Sequence, residues 1–265
     1  MIKRELHNFF AALLFFTRIP CPKGIKVTTQ NFSQCARYFP LTGWIVGGVS
    51  AIVYSLCSLV LPSDIAVLLA MLSLVLITGG LHEDGLADVC DGFGGGWSKE
   101  KILAIMKDSH TGAYGVIGLI FLFLFKFYLL SVILQTDDIT SRFFVTAFPF
   151  SILIASHALS RFMAITFLYT HSYARENEES KSKSVTKKMT VMECLVALIF
   201  GIAPLFLFQN IFVFLIVMPL WIAKTLLGRY FKKWIGGYTG DCLGATQQIC
   251  ELLFYICMLI PWKFI

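Results

Sequence analysis

A chain of 265 residues has the length of one or two soluble domains, yet 57% apolar residues, 25 phenylalanines and only 14% charged residues leave too little polar surface for a soluble protein. The composition describes an all-α, polytopic membrane protein with residues 1–265 as a single integral membrane domain. The net charge of +6 tracks the loops between apolar runs, so it reads as a topology signal and nucleic acid is not an expected partner.

Residues 6–17 follow Lys3 and Arg4 as an apolar run too short to span, and no small-residue cleavage site follows at Thr17, Arg18, Ile19 and Pro20. They are expected to form an interfacial helix of the mature protein. Residues 18–39 are a basic, proline-containing segment. Seven candidate spans then follow, at about 40–61, 65–81, 113–134, 143–169, 191–208, 211–227 and 247–262, of which six or seven cross. The fifth and sixth meet at Gln209 and Asn210, where a hairpin that does not cross fully is the alternative to two spans. Gly43, Gly47 and Gly48 give the first span a small-residue face suited to close helix contact.

The basic residues test this layout. With residues 1–39 cytoplasmic and seven crossings, the segments on that side hold 17 Lys and Arg and the opposite segments hold two. Lys126, Arg161 and Lys224 fall inside spans. The alternation predicts an N-terminus inside, a C-terminus outside, and a bacterial cytoplasmic membrane as the location. The eight cysteines show neither a CxxC pair nor a zinc spacing and read as small buried residues.

Between the second and third spans, Gly79 to Gly115 holds six of the sixteen carboxylates. Asp84, Asp88 and Asp91 are spaced four and three apart, so on a helix they share one face. Like charges that close repel unless a cation, protons or water lies between them, and hard divalent cations take such oxygen ligands. A solvated, acidic helix end is the alternative. The stretch is expected to run as a short helix to Asp91, a flexible turn over Gly92–Gly96, and an amphipathic helix from Ser98 to Lys107, with Ser98 as N-cap. Lys107, Asp108, Ser109, His110, Thr111 and Tyr114 return polar groups to the membrane surface, where Lys107 either holds a phosphate or snorkels.

Farther along, His157 and Arg161 lie one turn apart in the fourth span. Ionisable groups at that depth cost about 2.5–3.5 kcal/mol or more facing lipid, so they are expected to turn inward to a polar cavity. Residues 170–190 read as a solvated cytoplasmic loop of mixed charge. Gly236, Gly237, Tyr238, Thr239, Gly240, Asp241 and Gly244 form a glycine-rich turn with one carboxylate, on the same membrane face as the first acidic cluster. Two sets of oxygen ligands, nearby basic residues and a deep arginine suggest a cytoplasmic site for an anionic substrate with a metal.

LHEDGLADVCDG (81–92), IMKDSHTGAYG (105–115) and GGYTGDCLGA (236–245), with FFTRIPCP (15–22), closely resemble the cobalamin synthase family, whose other name is adenosylcobinamide-GDP ribazoletransferase. The resemblance covers essentially the whole chain. It implies a magnesium-dependent membrane enzyme that joins adenosylcobinamide-GDP to alpha-ribazole or its 5'-phosphate and releases GMP, late in coenzyme B12 assembly. It also raises association with membrane lipid and with other B12-assembly enzymes as expectations. On this resemblance Asp84, Asp88 and Asp91 bind magnesium, one of them or His82 takes a proton, and Lys107 and Arg161 contact phosphate. Asp108, Tyr114, Thr239 and Asp241 bind or orient substrate or complete the metal shell. A CDP-alcohol phosphotransferase is the nearest rival, but Asp88 stands where that family's motif places Arg. A transporter, suggested by the charges within spans, leaves the gathering of carboxylates in one loop unexplained.

Overall fold

The computed structural model describes residues 2–25, 27–135, 148–175, 188–208 and 210–260. Their architecture is all-helical, with one isolated bridge between Tyr173 and Tyr238. The helices are α1 (Ile2–Phe16), α2 (Thr29–Gln34), α3 (Phe39–Cys57), α4 (Ser63–Thr78), α5 (Leu81–Gly95), α6 (Lys99–Ile105), α7 (Ala113–Gln135), α8 (Phe148–Ile165), α9 (Phe167–Thr170), α10 (Val191–Ile202), α11 (Val217–Ile235) and α12 (Gly240–Leu259).

Among the described residues five helical segments are long and apolar enough to cross a membrane: Gln30–Cys57, Ala113–Gln135, Pro149–Thr170, Ile211–Ile235 and Gly240–Leu259. The bent pair Ser63–Thr78 and Leu81–Gly95 makes a sixth when counted as one broken span. This is a multi-pass membrane protein. Leu56, Leu72, Leu124, Tyr128, Ile199 and Met218 are all more than half exposed on the outside of the bundle, a surface that water would penalise and lipid accepts. The fifth apolar run is shorter than expected, since α10 gives way to a 3-10 helix over Ala203–Leu207. Gln209, in the proposed hairpin, lies outside the described residues.

Packing follows the small residues. A Cβ on Gly43 or Gly47 would run into the backbone of His157 or Leu153, so α3 lies directly against α8, as the glycine face predicts. Gly48 makes no such approach. Helix α1 is longer than the expected interfacial segment and buries Ala11, Ala12, Leu13 and Phe16, the last stacked on Phe39 with centroids 4.0 Å apart.

Two further differences shape the site. At Gly79 and Gly80, with φ of 70° and 74°, the chain turns by 87° between α4 and α5. Left-handed backbone at two successive positions is tolerable because neither carries a Cβ. The turn sets α5 nearly perpendicular to α4, and its four carboxylates, Glu83, Asp84, Asp88 and Asp91, argue against a place among the spanning segments. The acidic helix then continues through Gly95 instead of ending at Asp91, because it has a helix on each side: α12 and α7 both pack against it. Helix α12 starts at Gly240, seven residues before the expected last span, capped by the Thr239 hydroxyl accepting from the Cys242 N–H.

Candidate active site

Backbone contact between two helices assembles the acidic centre. A Cβ on Gly85 would lie 3.0 Å from the Asp241 carbonyl oxygen, and one on Gly244 would lie 3.1 Å from that of His82. With hydrogen at both positions α5 and α12 touch, and Asp84 and Asp88 come beside Asp241 from the far end of the chain.

Two hollows meet there. An enclosed cavity of about 160 Å³ is lined by Asp84, Asp241 and Arg175, with Phe15, Phe16 and Phe39 among its apolar walls. A more open groove of about 560 Å³ is lined by Asp84 with Arg18, Thr17, Thr78 and Thr111. Asp84, Phe15 and Leu81 belong to both.

The electrostatics are those of crowded carboxylates. Burial, then Asp241, Asp84 and Asp91, push the half-buried Asp88 carboxyl up to about 7, with only Arg175 acting the other way. Arg175 Nη2 lies 3.6 Å from Asp241 Oδ2, and the Thr239 hydroxyl donates to the same oxygen at 3.2 Å. The arginine is held there by chain pairing: Ala174 N–H donates to the Tyr238 carbonyl at 2.8 Å and Tyr238 N–H to that of Ser172 at 3.1 Å. A side chain at Gly237 would collide with the Ser172 carbonyl, which accounts for a glycine in that turn.

The expected site residues divide. Asp84, Asp241 and His82 line the enclosed cavity, and Asp88 adjoins it. Asp91 has another job: Gly112 and Gly115 N–H donate to its two oxygens at 2.7 and 2.9 Å, tying α5 to the start of α7. Among the described residues no three carboxylate, imidazole or thiol groups form a ready-made cation site. The His82 ring is stacked on Phe39, with Nε2 enclosed and unpaired among the described residues, so it forms wall and offers no accessible base. Thr239 is fully buried and acts on Asp241 and the helix cap, not on an open pocket. Lys107 and Asp108 lie exposed on the α6–α7 connection, where Asp108 accepts from His110 N–H at 3.1 Å. Tyr114 packs its ring over Gly94, away from both hollows.

Arg161 turns inward as expected but does not reach the acidic cavity. It is 1% exposed, bonds the His157 carbonyl at 3.1 Å, and faces the Phe39 ring at 5.5 Å. It joins a buried polar network centred on Glu251, whose oxygens meet Lys126 Nζ at 2.9 Å, Gln247 Nε2 at 2.8 Å and the Tyr255 hydroxyl at 3.2 Å. His157 Nδ1 is 3.5 Å from the same carboxylate.

Sequence reading passed over Arg175, Arg18 and Glu251. Arg175 sits in a stretch whose mixed charge reads as solvated, and no local pattern announces its pairing with Asp241. Glu251 had a usable signal: an acid inside one span wants a base inside another, and Lys126 is such a base.

Comparison with known proteins agrees with the geometry. Residues 8–259 match the family model described as cobalamin-5-phosphate synthase. Proteins named adenosylcobinamide-GDP ribazoletransferase are similar along the whole chain: that of Shewanella frigidimarina is 41% identical over 97% of this chain and 95% of its own. That of Shewanella amazonensis is 42% identical over 98% of both. No solved structure matches. A match of this length, including all three glycine-and-aspartate motifs, places the chain in the cobalamin-5-phosphate synthase family.

Proposed function

We propose that the chain is a membrane transferase joining adenosylcobinamide-GDP to alpha-ribazole or its 5'-phosphate, with release of GMP, at the cytoplasmic face of a bacterial inner membrane. The observation that carries the reading is the meeting of Asp84 and Asp241, far apart in the sequence, at one cavity in a protein whose full-length relatives bear that name. The excess of Lys and Arg in the loops on the same side supports the orientation.

In the reaction a ribose hydroxyl oxygen bonds to the phosphorus that carries the corrinoid arm. The bond from that phosphorus to the bridging oxygen breaks, and GMP leaves with the electron pair. Asp241, oriented by Arg175 and the Thr239 hydroxyl, accepts the hydrogen bond of the attacking hydroxyl and takes its proton. Arg175, beside Asp241 on the cavity wall, faces the negative charge of the diphosphate. The apolar walls exclude water, which would otherwise compete as acceptor.

Magnesium fits the donor set. It needs only one or two protein carboxylates and completes its shell with water and phosphate oxygens. Asp84 and Asp88, one helical turn apart and crowded enough to raise the Asp88 carboxyl to about 7, suit that requirement. Bound there, the ion would neutralise the diphosphate and stabilise the departing phosphate. Asp91 supplies charge and anchors α5, and is not among the proposed ligands.

The test is GMP release by the purified, lipid-reconstituted protein from adenosylcobinamide-GDP and alpha-ribazole, with magnesium or with chelator. Turnover is expected only with magnesium. Asp84→Asn and Asp88→Asn should each lower it by about 10²-fold or more with membrane insertion unchanged. Near-normal release by both variants would refute the assignment.

A further inference from the structure

The reaction needs room for two reactants on different sides of one phosphorus, since the attacking and leaving oxygens lie roughly in line. The two hollows share Asp84, Phe15 and Leu81 and differ in every other lining residue. Their chemistry also differs. Besides Asp84, Asp241 and Arg175, the enclosed cavity is walled chiefly by Phe15, Phe16, Phe39, Ile165 and Leu243, and at about 160 Å³ it takes a flat apolar ring system but no nucleotide. The groove, at about 560 Å³, falls in the range of small-molecule sites. It presents one cation and three threonines.

That cation is Arg18, which follows the wall residues Phe15 and Phe16 in the FFTRIPCP segment. Its backbone is fixed by its N–H donating to the Ile77 carbonyl at 2.7 Å, at the end of α4. Its guanidinium lies over Gly79, where a Cβ would overlap Nε. The bend that turns α5 toward Asp241 therefore also provides the platform for Arg18. Among the described residues Arg18 has no carboxylate ion pair, although its groove ends at Asp84.

We propose that the groove binds the guanosine phosphate part of the activated substrate, with Arg18 on its phosphate, and that the enclosed cavity holds the apolar base of ribazole. Asp84 marks the meeting point, where the attacked phosphorus lies. The corrinoid, too large for either hollow, stays outside. This assignment rests on the transferase reading and adds which reactant each side admits.

Two measurements on the full-length protein in magnesium buffer test it. Arg18→Ala should raise KM for adenosylcobinamide-GDP about tenfold or more, the scale of a lost charged hydrogen bond, and leave KM for alpha-ribazole within about twofold. Arg18→Lys should recover part of the loss, and Leu243→Phe, which fills the enclosed cavity, should raise KM for ribazole alone. Direct binding of GMP should weaken about tenfold or more in Arg18→Ala. Equal GMP binding by wild type and Arg18→Ala, or a rise confined to ribazole KM, overturns the assignment. A folded wild-type protein that binds GMP through Arg18 but releases none from the two substrates would overturn the transferase reading and leave the groove assignment standing.

Discussion

At Asp88 charge and burial act in the same direction. Its carboxyl stands at about 7 because burial and three neighbouring carboxylates oppose the anion while Arg175 alone favours it. A cation at Asp84 and Asp88 must therefore displace a proton at lower pH. The sign is fixed: below about 7 the proton competes, and above it the site is already an anion. Apparent magnesium affinity is expected to rise up to about tenfold per pH unit from about pH 6 to 7, then level off. Titrating magnesium at several pH values measures it, and a pH-independent affinity in wild type would sink the idea. Asp91, three residues on, shows how little spacing alone decides. It occupies the same helix face, yet two backbone N–H groups claim its oxygens.

Between elements, Lys126 on α7 and Glu251 on α12 form a buried ion pair, with side chains 4% and 0% exposed. Removing Lys126 strands the Glu251 carboxylate, whereas neutralising both takes the charge away and still leaves Gln247 and Tyr255 in need of an acceptor. Lys126→Met is expected to cost about 3–5 kcal/mol of stability, and adding Glu251→Gln, which keeps an acceptor for Gln247 and Tyr255, to recover part of it. Thermal unfolding in detergent measures both, and equal losses in the single and double variants would contradict the pairing. Small residues act at this scale as well. Gly43 and Gly47 announce their helix contact by a spacing of four in an apolar run. Gly85, between Asp84 and Leu86, and Gly244, four residues after Gly240, find their partners only in the folded chain.

For the whole molecule, the decisive feature is that the ends of α4, α8, α9 and α11 and the starts of α7 and α12 gather at one end of the bundle, with α5 laid across them. Arg18 bonds Ile77, Asp91 bonds Gly112 and Ser172 bonds Tyr238 there. Sites on that end must share one side of the membrane. In a background without the native cysteines, Asp84→Cys and Asp241→Cys are expected to react with an impermeant thiol reagent from the cytoplasmic side alone. Labelling of the two from opposite sides would contradict both the fold and the proposed site.

Helical class, membrane residence and family motifs were legible in the sequence, since each depends on composition or on patterns within one segment. Asp84, Asp88 and Asp241 were legible as acids that belong together, because the expected topology sets their motifs on one side. Tertiary structure alone decided which of them meet, that Asp91 serves the backbone, that Arg161 lies behind Phe39, and that Arg175 and Arg18 enter the two hollows. The reason is physical. Periodicity fixes the face a residue occupies on its own helix, but what lies opposite that face is set by how closely other helices approach.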